Sequence, residues 1–266
     1  MKYNISEDFW IDEKYKQLFI SASGGADSTI VLYAIIKFLQ QHNRIDTKIH
    51  INTVLFHHYD SYGGSTLKTA SNVVSKIIEL TNAFDLINSH EFYFRGNAEG
   101  FYDRYGRYIV HRVHPTSKTR TEDNKANAPC DASRYWLMEL SNRIIQRPDK
   151  DQCLLISGQN KNPPAGAVVT SPLGKSIELR RSSPYQHRND NDNKWVLDNR
   201  GVHGFFPITA ADKKDVIELY RHFGVYESLL PLTFSCATWD PISTVNFTKP
   251  CGECWWCLER KWGMEQ

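Results

Sequence analysis

The sequence has no run of the roughly 18 apolar residues that a bilayer-spanning helix needs, so no transmembrane helix is expected. It carries almost no net charge, +2 over 266 residues, so charge alone points neither toward nucleic acid nor away from it. Its opening residues lack the charged-then-apolar layout of a secretory leader, which predicts a cytoplasmic protein without stable disulfides. No internal repeat occurs. No lysine follows the early glycine-rich turn until Lys37, which excludes the Walker type of phosphate loop. What is present is a length of 266 residues, enough for one large α/β domain or for one domain with an appendage, and 41% hydrophobic residues, which fits a soluble globular protein. The 13 Tyr, 13 Phe and 7 Trp permit stacking on bases, but such residues more often fill a core.

The most informative stretch is Ser21-Ala22-Ser23-Gly24-Gly25-Ala26-Asp27-Ser28-Thr29. The strand-like run Leu18–Ile20 leads in and the helix-like run Ile30–Ile36 leads out. A strand, a glycine turn and a helix start gather backbone N–H groups around one point and add the helix dipole, which together favour an anion. Gly24 and Gly25 allow positive φ and close approach. Ser21, Ser23, Ser28 and Thr29 supply hydroxyls. Asp27 beside a phosphate site makes sense if it meets Mg²⁺ or caps the helix. The pattern Ser-Gly-Gly-x-Asp-Ser resembles the PP-loop of the ATP pyrophosphatases, which implies cleavage of ATP to AMP and pyrophosphate with adenylation of a substrate.

A second signal lies near the other end. Cys236, Cys251, Cys254 and Cys257 are spaced C-x14-C-x2-C-x2-C. Close cysteine pairs completed by a fourth thiolate suit a structural Zn²⁺ with no open position. Trp255 and Trp256 would shield the sulfurs. An iron–sulfur cluster uses a similar ligand set and stays as the alternative, beside disulfides and unrelated buried cysteines. Cys130 and Cys153 stand outside the set, and Cys153 reads as a small buried hydrophobe.

Taken together, these signals resemble the 7-cyano-7-deazaguanine synthases (QueC). The matching residues are the diglycine turn, Ser235-Cys236, and Pro250-Cys251-Gly252-Glu253-Cys254-Trp255-Trp256-Cys257-Leu258-Glu259-Arg260. Pro207-Ile208 to Gly224-Val225, and Asn52–Phe56 followed by His57, His58 and Tyr59, are also similar. The resemblance is strong over about a quarter of the chain. It implies an adenine nucleotide alpha hydrolase-like fold: an α/β parallel sheet with helices on both faces, plus a C-terminal zinc-binding lobe. The expected organisation is a nucleotide domain over 1–230, with polar insertions near 95–130 and 159–204, and a zinc lobe over 231–266. The family's Asp-x-x-x-Tyr-Pro-Asp-Cys-Arg-like segment after the fourth strand is missing. Residues 161–170 read Lys-Asn-Pro-Pro-Ala-Gly-Ala-Val-Val-Thr instead.

The pattern along the chain predicts strands over 17–22, 49–56, within 84–94, and Cys153–Ser157. It predicts helices over 28–41, from an N-cap at Ser65, over 132–147, and from Cys257 to Trp262. Thr209-Ala210-Ala211-Asp212 reads as a capping box before an apolar stripe of Val216, Ile217, Tyr220 and Phe223 that ends at Gly224. Strand–helix alternation implies a parallel sheet with its ligand at the carboxyl ends of the strands.

The expected site holds ATP on Ser23, Gly24, Gly25 and Ser28, with Asp27 positioning the metal. Lys161, just past a strand end, is the candidate to reach the phosphates from another loop. Arg134, near a helix start where the family has an Arg-Asn pair, is a second. The backbone of Leu55 and Phe56 would take the adenine. His57 and His58 point to opposite faces of a strand, so one at most faces the site. The resemblance implies an AMP- and pyrophosphate-forming C–N ligase that converts 7-carboxy-7-deazaguanine and ammonia to the nitrile. The alternatives are another PP-loop adenylating enzyme, acting in sulfur transfer or on nucleic acid or protein, and a nucleotide-binding defence or regulatory module. The partners expected are a small deazapurine-like acid and ammonia. A homodimer and a nucleic-acid or protein partner stay open, and no membrane partner is expected.

Overall fold

Side chains along a strand alternate between faces, and the burial pattern here shows both faces covered. The structure, a computed structural model, describes residues 4–56, 60–95, 100–102, 108–110, 137, 140–172, 174, 176–179, 194–234, 252 and 255–265. A short helix α1 (Ile5–Asp8) precedes strand β1 (Gln17–Ser21), helix α2 (Ala26–Gln41), β2 (Lys48–Phe56), α3 (Asp60–Thr81) and β3 (Ile87–Arg95). A small hairpin, β4 (Gly100–Tyr102) with β5 (Tyr108–Val110), follows. Next come a helical segment α4 (residues 140–145), β6 (Cys153–Ser157), and a second hairpin of β7 (Val168–Thr170) and β8 (Ser176–Glu178). The chain continues through β9 (Trp195–Leu197), β10 (His203–Phe205), α5 (Lys213–His222) and α6 (Trp255–Met264).

The main sheet has six strands in the order β3-β2-β1-β6-β10-β9. All neighbours pair parallel except β9, which runs antiparallel to β10. From β1 and β6, Leu18, Ile20, Leu154 and Ile156 enter the large core with α2, α3 and α5. Phe19, Cys153 and Leu155 point the other way, onto Leu140 and Ile144 of α4 and onto Val202. The fold class is therefore α/β, a mostly parallel sheet with helices on both faces. α2 is buried from Ala26 to Leu39 save Asp27 and Lys37, as a helix apolar nearly all round must be. Burying each of its larger aliphatics is worth about 1.5–3 kcal/mol. No described helix is long and apolar enough to cross a membrane.

Three expectations need correction. Helix α3 begins at Asp60, so Ser65 lies inside it and is not its N-cap. Gly63 and Gly64 hide that first stretch, because glycine is a poor helix former that the surrounding structure overrides. The cap before α5 is Asp212, three residues later than expected. Its carboxylate accepts from the N–H groups of Lys214 (2.9 Å) and Asp215 (3.1 Å), and Asp215 accepts in return from the Asp212 N–H (3.1 Å). The third strand falls where it is expected, as β3 from Ile87 after a 3-10 turn over Phe84–Leu86. Finally, part of the stretch 159–204 belongs to the main sheet, as β9 and β10. Each is three residues long, too short to show alternation in the sequence, though Phe205 is buried in the large core.

The end of α5 follows the expected rule. Gly224 takes φ +67°, its N–H reaches the Arg221 carbonyl at 3.0 Å, and the Val225 N–H reaches Tyr220 at 2.9 Å. Helix α6 extends beyond the expected Cys257–Trp262 on both sides. It packs Leu258 and Trp262 onto Ala167, Val169 and Leu179 around the β7–β8 hairpin. Cys153 is buried as expected, and burial pushes its thiol up to about 11. Apart from β3 to β5, the region 95–130 lies outside the described residues, as does the start of the helix expected over 132–147.

Ile20 is fully buried at the centre of the sheet. Ile20→Ala should cost about 2–5 kcal/mol, read as a lower urea midpoint. Phe84→Ser, at a side chain 73% exposed, should stay within about 0.5 kcal/mol of the parent protein.

Candidate functional site

The strand order reverses between β1 and β6, since β2 and β3 lie on one side of β1 and β6, β10 and β9 on the other. Ligands of open α/β sheets lie at such a switch point, outside the carboxyl ends of the strands. Ser21, Asn52 and Ser157 are level with each other across β1, β2 and β6 at that edge. β2 runs on from there to Leu55 and Phe56, whose backbone pairs with Phe94 and Arg95 of β3. The diglycine turn, residues 23–25, leaves β1 at this edge.

Two neighbours press on the turn. Gly24 takes φ +76°, and a Cβ there would sit 2.9 Å from the Ala70 nitrogen of α3. Its carbonyl accepts the Phe234 N–H at 3.0 Å. Gly158, at the exit of β6, has no room for a side chain either: a Cβ would lie 2.7 Å from the Ser28 nitrogen. The first turn of α2 is thus approached closely by the backbone leaving β6. Gly25 is the N-cap of α2 and supplies no side-chain cap.

Within the turn, the Ser28 hydroxyl accepts the Ser23 N–H at 3.2 Å and donates to the Gly25 carbonyl at 3.2 Å. The Ser23 and Ser28 hydroxyls lie 3.3 Å apart, and the Gly25 N–H reaches the Ser23 hydroxyl at 3.3 Å. These two serines tie the turn to the N-terminus of a 16-residue helix, an end that favours an anion. Thr29 is buried within α2 rather than lining the turn. Ser21 ends β1 half-buried.

Asp27 does not cap the helix. Its two carboxylate oxygens each accept from the Lys213 ammonium at 2.6 Å. The Lys213 side chain is 3% exposed and Asp27 19%, and Glu259 of α6 approaches the same ammonium at 3.8 Å. Beside this pair the Tyr220 hydroxyl donates to the Ala26 carbonyl at 2.7 Å. Burial first, then the Asp27 charge, holds that phenol well above the ordinary tyrosine range, so it stays a neutral donor. Lys213 was missed in the sequence because Asp212-Lys213-Lys214-Asp215 looks like a solvated helix start. One clue was available: a lysine at the first position of a helix opposes the dipole and needs another reason to be there.

Lys161 follows β6 as expected, with its N–H on the Ala211 carbonyl at 2.7 Å and its side chain half-buried. This bond ties the exit of β6 to the segment before α5. Cys257 is buried in the first turn of α6. Arg134, Cys130, Cys236, Cys251, Cys254, His57 and His58 lie outside the described residues. Among the described residues, no group of three or more His, Cys, Asp or Glu is placed to hold a metal. Arg260 nonetheless links α6 to the segment that leads to Cys236. Its guanidinium donates to the Thr233 carbonyl (3.0 Å) and hydroxyl (2.6 Å) and to the Leu230 carbonyl (2.8 Å).

A polar chain braces the floor of the turn. The Thr53 hydroxyl donates to the Ala22 carbonyl at 2.5 Å, so it must accept from His90 Nε2 at 3.0 Å. That fixes the neutral tautomer of His90 with its proton on Nε2.

No family model matches the sequence, and no curated protein does. Among solved structures, the chain is similar to the U34-tRNA thiolase NcsA from Methanococcus maripaludis with its 4Fe–4S cluster. The likeness covers 91% of this chain and 66% of that one, at 12% identity and a TM-score of 0.46. So distant a likeness leaves the site to be read from its own residues.

Burial lowers the His90 imidazole to about 4, from an unperturbed 6.5. The unfolded chain takes the proton first, so stability should be intact above about pH 6.5 and fall as pH drops toward 4. His50, also lowered by burial and then by Arg147, adds with the same sign. Urea midpoints measured from pH 7 to pH 4 should show this slope, and His90→Asn should flatten it.

Proposed function

We propose that the chain is an ATP-using enzyme of the PP-loop type, which splits ATP into AMP and pyrophosphate and so adenylates an acceptor. The observation that carries this reading is the diglycine turn at the switch point, with Ser23 and Ser28 facing one another and Asp27 fixed by a buried lysine. Each part has a task. Gly24 and Gly25 let the backbone approach the phosphates, and the amides and hydroxyls of Ser23 and Ser28 stabilise the charge that grows on the departing pyrophosphate. Asp27, in the first turn of α2 beside the glycines, keeps 19% of its side chain exposed while both of its oxygens meet Lys213. Asp27, together with the nucleotide's own phosphate oxygens, would hold magnesium, which would supply positive charge against the developing pyrophosphate. Lys161 is the residue proposed to reach the phosphates from the exit of β6, and Arg134 is a further candidate. The backbone at Leu55 and Phe56, where β2 overshoots β1, is the proposed bed for adenine.

For the acceptor we take the reading that the sequence motifs favour: a carboxylate on a deazapurine, activated as its AMP ester and then attacked by ammonia. In the resembling family this acid is 7-carboxy-7-deazaguanine: attack by ammonia gives the primary amide and releases AMP, and a second adenylation, of the amide oxygen by another ATP, lets that oxygen leave with AMP to give the nitrile. Adenylation turns a poor leaving oxygen into a good one, and the enzyme's task is to align the attack on the α-phosphorus. One observation favours a second reading, a PP-loop adenylating enzyme with a different acceptor, in sulfur transfer or on nucleic acid or protein. Residues 161–170 lack the acidic and aromatic segment with which that family meets its base.

Zinc, when bound by Cys236, Cys251, Cys254 and Cys257, would cross-link the C-terminal segment. Of these four, Cys257 is placed, as a buried thiol suited to a thiolate ligand. The proposal of zinc rests on the cysteine spacing.

Incubation with ATP, Mg²⁺, ammonium and 7-carboxy-7-deazaguanine should release AMP and pyrophosphate and yield the nitrile mass. AMP formed only with RNA or a protein would support the second reading, and ADP with inorganic phosphate would overturn both. Asp27→Ala should lower AMP formation at least about a hundredfold while the fold persists by circular dichroism. Cys257→Ser should reduce bound zinc, measured by mass spectrometry of the metal, and lower the melting temperature. Full stability without any metal would contradict the cysteine site.

A further inference from the structure

Helix α6 meets the diglycine turn by two separate routes. The first runs through Lys213. Glu259 lies 3.8 Å from its ammonium, and Gly263, one helical turn on, passes directly against its stem. A Cβ at Gly263 would sit 2.6 Å from Lys213 Cγ and 3.0 Å from its carbonyl oxygen. A glycine inside a helix is unfavourable, and the close approach to Lys213 is the reason for it here. Lys213 then grips both oxygens of Asp27. The second route runs through Arg260, which holds Thr233, next to Phe234, whose N–H is bonded to the Gly24 carbonyl. Three residues of one helix, at positions 259, 260 and 263, therefore bear on the turn from two sides.

We propose that α6 is a positioning element for the nucleotide site. Glu259 and Gly263 seat Lys213, and Lys213 both orients the Asp27 carboxylate and offsets its charge where a polyphosphate approaches. The inference rests on the reading of the turn as an ATP site and adds which residues set its electrostatics. Lys213 is a positioning residue that acts through Asp27. A buried ion pair alone gives little net stability over an apolar pair of the same shape. What this one supplies is a carboxylate held in one direction, with less repulsion toward phosphate.

The test is a double-mutant cycle read by calorimetric binding of a non-hydrolysable ATP analogue, with and without Mg²⁺. Lys213→Met should weaken metal-free binding roughly tenfold, because an uncompensated carboxylate then faces the phosphates. It should also make binding depend more steeply on Mg²⁺, which a purely structural role would not do. Gly263→Ala should weaken metal-free binding in the parent protein by a smaller factor, and by less again in the Lys213→Met background, where the displaced side chain carries no charge. Melting curves check the fold of each variant. Where Gly263→Ala does not fold, Glu259→Gln, which keeps the volume, replaces it in the same cycle. Equal effects of Gly263→Ala in both backgrounds, or an unchanged dependence on Mg²⁺ in Lys213→Met, would overturn the role of α6 while leaving the ATP reading intact. No binding of the analogue by the parent protein would overturn both.

Discussion

Lys213 and Asp27 are 186 residues apart in sequence and joined by two contacts of 2.6 Å in space. Removing two charges from water costs several kcal/mol per ion, so such a pair persists only with good geometry on both sides. Here the geometry comes from elements that would otherwise have little in common. Asp27 lies in the first turn of α2, Lys213 in the first turn of α5, and Glu259 on α6. The Asp212–Asp215 capping box fixes where α5 begins, and hence where Lys213 points. Tyr220, one face of α5 further on, bonds to the Ala26 carbonyl and sets the distance between the two helices. The ion pair is thus the place where the N-terminal and C-terminal parts of the described chain are brought into register.

The sheet supplies the frame for that register. Three strands level at Ser21, Asn52 and Ser157 create an edge, and glycine at positions 24 and 158 lets backbone cross it at close range. A side chain at either glycine would strike backbone atoms, which cannot step aside as a flexible side chain can. The hydroxyls of Ser23 and Ser28 then shape the turn from within. Beneath it, the chain His90–Thr53–Ala22 braces the end of β1 through two neighbouring strands. These are all short-range contacts, and they are possible because the parallel pairing has already fixed the strand ends.

Much of this was legible in the sequence, for identifiable reasons. The hydrophobic runs of β1, β2 and β6 and the apolar α2 are strong signals, because parallel strands buried on both faces cannot hide their composition. The diglycine turn could be placed because its glycines and serines sit between two such runs. The strands β9 and β10 were not legible, since three residues carry too little pattern. The start of α3 was masked by its glycine pair. Lys213 was unreadable for a different reason: nothing local distinguishes a buried lysine from its solvated neighbour Lys214, which lies over the Trp262 ring. Its role follows only from the approach of α2 and α6, a tertiary fact. Cys257 was named for its spacing, and the helix expected from it is present, longer at both ends.

The placement of Gly263 has an implication for the order in which the molecule becomes competent. The sheet edge and the diglycine turn are encoded early, and their parallel partners are complete once β10 has been made. The lysine that faces Asp27 is seated only when α6 has docked behind it. During synthesis, a ribosome must therefore pass residue 263 before the turn reaches its final electrostatic state. A chain that stopped short of residue 263 would keep every strand of the sheet and lack the contact that Gly263 makes with Lys213, so the pairing partner of Asp27 would be held from one side less.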